Sequence, residues 1–240
     1  MTQTNTLAIK AEAVVKNYGA KAALRSIDLE IPTGGVTILL GSNGAGKSTL
    51  LRVFAMLTRI DSGNLTIHGL EMMKNGPSIR ANIGAALHAP MLYADMSVRE
   101  NLMFSASILR LPRKDTLIYE TAEKVGIQDR LEDSVRSLSH GLQKKVSLAR
   151  ALMHEPSLLL LDEPESGLDA RSVNELDQII AGYRSQRRTV VMTTHIIEHG
   201  LEIADHAVVL QHGNVILMSN DPISERSAIM NAYTSVGAKL

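Results

Sequence analysis

Ile27, Leu29 and Ile31 alternate with Ser26, Asp28 and Glu30, the two-residue period of a strand buried on one face. Pro32-Thr33-Gly34-Gly35 then turns the chain, and Val36–Leu40 follows as a short, largely apolar run that stops at a glycine. Such runs fit strands covered on both faces of a parallel sheet. Leu158–Leu161 and Thr189–Met192 have the same form. Within Arg171–Tyr183, Val173, Leu176, Ile179, Ile180 and Tyr183 recur at helical spacing. Strands alternating with helices predict an α/β domain with a mainly parallel sheet. From about His88 to Glu155 the pattern is helical instead. Ser97-Val98-Arg99-Glu100 is a capping box opening a helix through Leu102, Phe104 and Leu109, which Leu111-Pro112 ends. A second helix around Leu117–Val125 stops at Gly126. The middle therefore reads as a helical subdomain inserted between two halves of an α/β core.

Composition narrows the classes. The 240 residues carry 25 Lys+Arg against 25 Asp+Glu, a balance that disfavours a nucleic-acid partner. With 45% hydrophobic residues the chain has ample material for a core. There is no Cys, which excludes disulfides and thiolate metal sites and agrees with a reducing compartment. Five Tyr, two Phe and no Trp make each aromatic ring worth inspecting. No apolar run approaches the ~20 residues of a membrane-spanning helix. Met1–Ala8 lacks the pattern of a signal peptide, and Ala238-Lys239-Leu240 departs from the S-K-L address at its first position. The expected location is the cytosol, or the cytosolic face of something larger.

The chemistry begins at Gly41-Ser42-Asn43-Gly44-Ala45-Gly46-Lys47-Ser48, a full match to G-x-x-x-x-G-K-[ST] between the Val36–Leu40 strand and a helical stretch from Thr49. Glycines let backbone N–H groups close around phosphate oxygens at the positive end of the following helix. Lys47 would reach the β- and γ-phosphates, and Ser48 would give its hydroxyl to Mg²⁺. A second acidic element follows the strand Leu158–Leu161. Asp162 stands where a sheet edge would hold the metal, and Glu163 one residue on, placed to take a proton from water.

With these residues in place, the chain resembles the ATP-binding subunits of ABC transporters over nearly its full length. The family's L-S-G-G-Q signature is similar to Leu138-Ser139-His140-Gly141-Leu142-Gln143, its D-loop to Ser166-Gly167-Leu168-Asp169, and its switch histidine to His195. Tyr18 stands where the family stacks a ring on adenine. The resemblance implies a RecA-like P-loop core with an N-terminal antiparallel β subdomain and an inserted helical subdomain. It divides the chain into a nucleotide-binding core at 1–87 and 155–220, a helical signature subdomain at 88–154 and a tail at 221–240. It implies ATP and Mg²⁺ as ligands, with Tyr18, residues 41–49 (Gly41 through Thr49) and Asp169 at the nucleotide. Ser139 and Gly141 would reach the γ-phosphate of a second copy across a twofold homodimer, and Glu163, His195 and Lys47 would carry catalysis.

Two departures qualify the match. His88 occupies the position where the family places a Gln that contacts Mg²⁺ and the attacking water; imidazole is not the preferred partner of that ion, so His88 is the weakest of the metal candidates Ser48, Asp162 and His88. His140 and Leu142 alter the signature, although Ser139 and Gly141 survive. The stretch His88–Leu102 looks like the H-x-P-x-L-Y-x-D-L-T-x-R-E-N-L segment of heme-exporter subunits of the cytochrome c maturation type, and Glu198–Asp205 is similar to that branch too. The expectation is an ATPase peripheral to the cytoplasmic membrane face, powering an exporter whose membrane chain is separate. Heme leads as cargo, and drugs, lipids or polysaccharides are the alternatives. A non-transport ABC ATPase of DNA repair, translation or cluster assembly is the other class.

Overall fold

The computed structural model describes residues 6–235, so the first five residues and the Ala238–Leu240 tripeptide lie outside the described residues. In chain order, β1 (Leu7–Tyr18) and β2 (Lys21–Pro32) form a long antiparallel pair, and β3 (Gly35–Leu40) leads to α1 (Lys47–Phe54). Next come β4 (Ser62–Ile67), β5 (Leu70–Glu71), α2 (Gly76–Arg80) and β6 (Ile83–Ala86). The helical middle holds α3 (Val98–Ile108), α4 (Lys114–Lys124) and α5 (His140–Leu152). The chain then alternates through β7 (Leu158–Asp162), α6 (Ala170–Ser185), β8 (Thr189–Thr193), α7 (Ile197–Ile203) and β9 (His206–Gln211). It ends in β10 (Asn214–Ser219) and α8 (Arg226–Ser235).

Two sheets result. The first, β2-β1-β4-β5, is antiparallel; the second runs β10-β9-β3-β8-β7-β6, parallel except for β10 at its edge. The architecture is the RecA-like P-loop fold the motifs imply, with a mixed sheet and helical insertions. The strands β3, β7 and β8 are buried along almost their whole length, which explains their apolar composition. One core lies between the two sheets, around Phe54, Leu50 and Leu65. The other joins the opposite face of the parallel sheet to α3–α5 through Leu102, Val146 and Leu159. The helical middle is therefore packed on the sheet by apolar burial, not tethered beside it.

Of the local signals, the capping box behaves as read. Ser97 caps α3, accepting from Glu100 N–H, while the Glu100 carboxylate accepts from Ser97 N–H. The helix after the phosphate loop opens at Lys47, two residues before Thr49. Among the described residues no helix is long and apolar enough to cross a membrane.

Candidate functional site

β3 delivers the chain to Gly41 at the carboxyl edge of the parallel sheet, and the loop returns into α1. At Gly41 (φ 149°) an added Cβ would sit 2.4 Å from the Leu210 carbonyl of β9; at Gly46 (φ 110°) it would sit 2.8 Å from the Ala23 carbonyl. Neither place admits a side chain, so the spacing of these glycines follows from close backbone approach. Ala45 N–H donates to Ser42 O at 3.1 Å within the turn. The Lys47 ammonium donates to Gly41 O at 2.6 Å and to Ser42 O at 3.1 Å. Burial pushes its pKa down, against the opposing pull of the Glu163 and Asp162 carboxylates.

The acidic edge stands opposite. β7 and β8 are paired so that Asp162 is level with Thr193. The Thr193 hydroxyl donates to Asp162 Oδ1 at 2.7 Å and accepts from Glu163 N–H at 2.9 Å. Ser48 Oγ donates to the same Asp162 oxygen at 3.3 Å, joining the phosphate loop to the strand end. Glu163 adopts a left-handed backbone (φ 51°), a conformation that costs energy for a residue other than glycine. Its carbonyl accepts from Lys144 Nζ at 2.8 Å, and its carboxylate Oε1 lies 2.6 Å from His195 Nε2. Lys144 is buried, which lowers its pKa, while Glu163, Glu165 and Asp162 act in the opposite sense.

Tyr18, Lys21, Ala23, residues 43–49 (Asn43 through Thr49) and Glu163 line a cleft of about 260 Å³. Tyr18 is half exposed at its rim, with the Lys16 ammonium 5.7 Å from its ring centre. Gly41 and Ser42 are not among the lining residues; their carbonyls accept from Lys47. His88 is exposed and does not line the cleft. Ser139, Gly141 and Asp169 do not line it either. Ser139 caps α5 through Leu142 N–H at 3.3 Å, and a Cβ on Gly141 would meet Gly167 O at 2.6 Å. Asp169 caps α6 by accepting from Ser172 N–H at 2.8 Å, which holds its carboxyl below the usual range.

The donors at the strand edge fit Mg²⁺. A hydroxyl and a carboxylate are hard oxygens, and this ion is commonly held by one or two protein oxygens with phosphates and waters completing its shell. Among the described residues no three His, Cys, Asp or Glu side chains are grouped so that they could hold a metal ion. The residues that pattern reading missed are Thr193, Thr194, Lys144 and Glu165. Their signal was faint: Thr193-Thr194 end β8 at the same sheet edge where Asp162-Glu163 end β7.

The ABC transporter family model matches residues 24–166. The chain is 32% identical over 209 residues to the bacitracin transport ATP-binding protein BcrA of Bacillus licheniformis, spanning 87% of this chain and 68% of that one. It is 32% identical over 197 residues to the ABC transporter ATP-binding protein NatA of Bacillus subtilis, spanning 81% and 80%. The solved structure of cbiO1 from Clostridium perfringens superposes with a TM-score of 0.77 at 28% identity, covering 97% of this chain and 96% of that one. A solved ATP-binding subunit of an ABC transporter gives a TM-score of 0.87 at 22% identity over 97% and 100%, a likeness of fold. Family model, relatives and phosphate-loop geometry agree: the chain belongs to the ABC transporter family, as an ATP-binding and ATP-hydrolysing subunit.

Proposed function

We propose that this subunit hydrolyses ATP in the cleft between Tyr18 and Glu163 and thereby drives an exporter whose path lies in a separate membrane chain. The observation that carries the catalytic part is the convergence of Lys47, Ser48, Asp162, Glu163 and His195 on one sheet edge. Adenine stacks on Tyr18, and the Lys47 ammonium exchanges its loop carbonyls for β- and γ-phosphate oxygens. Ser48 and Asp162 would hold Mg²⁺, which when bound would neutralise phosphate charge. Glu163 accepts a proton as water oxygen bonds to the γ-phosphorus and the bond to the β-phosphate oxygen breaks, releasing ADP and phosphate. His195, 2.6 Å from that carboxylate, orients it. Ser139 and Gly141 lie off the cleft of their own chain, which supports their serving the γ-phosphate of a second copy.

Export is supported by the relative named for it, the Nod factor export ATP-binding protein I of Rhizobium meliloti, beside relatives named for linearmycin resistance (LnrL), daunorubicin resistance (DrrA2), bacitracin transport (BcrA) and lantibiotic transport (SrtF). These names favour an amphipathic antibiotic or drug as cargo and disfavour a DNA-repair or translation role. The 33% identical glutamate transport protein GluA of Corynebacterium glutamicum supports leaving cargo choice to the membrane chain. Heme export is the second reading, carried by the Glu198–Asp205 segment and the His88–Leu102 stretch, and none of these relatives is named for it. Much of that stretch builds the fold: Ser97 and Glu100 cap α3, Asn101 bonds the preceding loop and Leu102 is core. Such residues say little about cargo.

The same stretch borders an apolar groove of about 440 Å³ between Tyr93, Phe104 and Ile108, with Arg150 at its wall. The loop on one side of it runs directly from β6, the neighbour of the Asp162 strand. cbiO1, similar over most of its length, is part of the ABC transporter complex cbiONQ. The deciding experiment compares two variants by ATP titration and phosphate release. Lys47→Ala is expected to weaken ATP binding by about tenfold or more. Glu163→Gln is expected to keep ATP binding and lower kcat by about 10²–10⁴-fold; unchanged turnover removes Glu163 as the base.

A further inference from the structure

Beside the carboxylates already assigned, a third lies behind them. Glu165 is 6% exposed, two residues past Glu163 on the turn that leaves β7. Its Oε1 accepts a hydrogen bond from the Thr194 hydroxyl, whereas its Oε2 is buried with no hydrogen-bond partner among the described residues. A carboxylate in that state is a net cost to folding, since burial removes its water and only half its acceptor capacity is used. The buried Lys144 ammonium, held 2.8 Å from the Glu163 carbonyl, supplies a nearby positive charge.

The other end of this contact is more informative. The Thr194 hydroxyl also accepts from Ile196 N–H at 2.9 Å, so this second bond spans the intervening residue, His195. Gly200 of α7 packs so closely on Thr194 that an added Cβ would lie 2.6 Å from Thr194 Cγ2. The threonine is thereby held to one placement, and with it the turn that brings His195 Nε2 to 2.6 Å from Glu163. Thr193 does the equivalent one residue earlier, holding Asp162 and the Glu163 N–H. Two successive hydroxyls at the end of β8 thus grip two acidic side chains from the end of β7.

We propose that Glu165 is a positioning residue for ATP hydrolysis: through the Thr194 hydroxyl it fixes the turn that sets His195 against Glu163. The inference rests on the reading of Glu163 and His195 given above. Glu165 does not line the nucleotide cleft; it acts on the distance and angle of the His195–Glu163 contact.

The test is steady-state Mg-ATPase of the full chain, with ATP affinity and thermal unfolding measured on each variant. Glu165→Ala and Thr194→Val are each expected to lower kcat about 10- to 100-fold while KM for ATP stays within about twofold, because the phosphate loop is untouched. Glu165→Gln keeps the accepting oxygen and Thr194→Ser keeps the hydroxyl, so both are expected within about threefold of the parent. The Glu165→Ala/Thr194→Val double variant should be no slower than the worse single, as for two ends of one contact. Full kcat in Glu165→Ala, failure of the Gln and Ser variants to rescue, or multiplying losses in the double variant each overturn the proposal. Thr194→Val is nearly isosteric and covers the case in which Glu165→Ala does not fold. His195→Ala separates the two levels. If it leaves kcat intact, the reading of His195 falls; if it is impaired while Glu165→Ala is not, only the role of Glu165 falls.

Discussion

Burial disfavours the charged form of two imidazoles. His154 Nε2 donates to the Ile83 carbonyl at 3.0 Å, while its Nδ1 is buried without a partner, and His68 Nε2 meets the Ser157 hydroxyl at 3.0 Å. For both, burial lowers the pKa from the ordinary 6.5, although the Ile83 carbonyl pulls the other way at His154. The folded state therefore binds fewer protons than the unfolded chain below that value. Their contribution to stability is complete above 6.5 and is lost as the pH falls below it towards the depressed folded values. The urea midpoint is expected to fall between about pH 7.5 and about pH 5.5, and His154→Gln, which keeps a donor for Ile83 but does not titrate, should flatten the slope. Carboxylates such as Asp61 and Glu175, lowered from 3.8 and 4.5, act only at still lower pH. A flat wild-type midpoint across that range would remove the histidines as acid sensors of the fold. At this scale the sequence showed what was contiguous. Lys47, Ser48, Asp162 and Glu163 stand in short motifs whose chemistry is local. Lys144, Thr193, Thr194 and Glu165 matter through contacts set by the β7–β8 register and by the approach of α5, spacings of 19 to 31 residues that no local pattern displays.

Between residues and the whole, the loop from β6 to α3 depends on one buried amide. Asn101 Oδ1 accepts from Tyr93 N–H at 2.8 Å, and its Nδ2 donates to Tyr93 O at 3.0 Å and Ser97 O at 2.9 Å. The loop has little regular structure of its own, so this side chain satisfies backbone groups that a strand or helix would otherwise pair. Asn101→Ala is expected to cost about 1–3 kcal/mol, the penalty for orphaning buried backbone groups, and about 2–4 °C in Tm for each of these. Limited proteolysis should cut first between His88 and Ser97; unchanged Tm and cleavage would show that the loop is held without Asn101, by its apolar contacts and by the bonds from Arg136 N–H to Ala94 O, Val135 N–H to Met96 O and Arg150 to Met91 O. Elements with strong periodicity were readable in advance: β2, β3, β7, β8, α3 and α6 carry either clean alternation, unbroken burial or a capping box. β1 was not, because its alternation is broken by register shifts around Ala13, whose φ is 50°. β6 has only four residues, and its Gly84 lies so near α5 that an added Cβ would sit 2.2 Å from Ala151 O. That strand is specified by what packs on it.

At the scale of the whole molecule, the proposed phosphate-loop and signature residues stand apart in the chain's own fold. The phosphate loop lines the cleft, whereas Ser139 and Gly141 sit at the start of α5, outside it. A head-to-tail pair would join each loop to the other chain's signature, giving two composite sites by one twofold operation. This has a consequence that a self-sufficient monomer does not share. Lys47→Ala destroys the loop half and leaves the signature. Ser139→Asp does the reverse: Asp is as good an N-cap as Ser and keeps α5 intact, but its charge repels a γ-phosphate. Each variant alone should be nearly inactive. In an equimolar mixture half the dimers are mixed, and each mixed dimer holds one intact composite site, so hydrolysis should return to at most about a quarter of the parental rate. The recovered rate should also rise faster than linearly with total chain concentration, as expected when assembly limits activity. If the mixture stays at the level of its components, the site is built within one chain, and Ser139 acts on its own α5 and nowhere else.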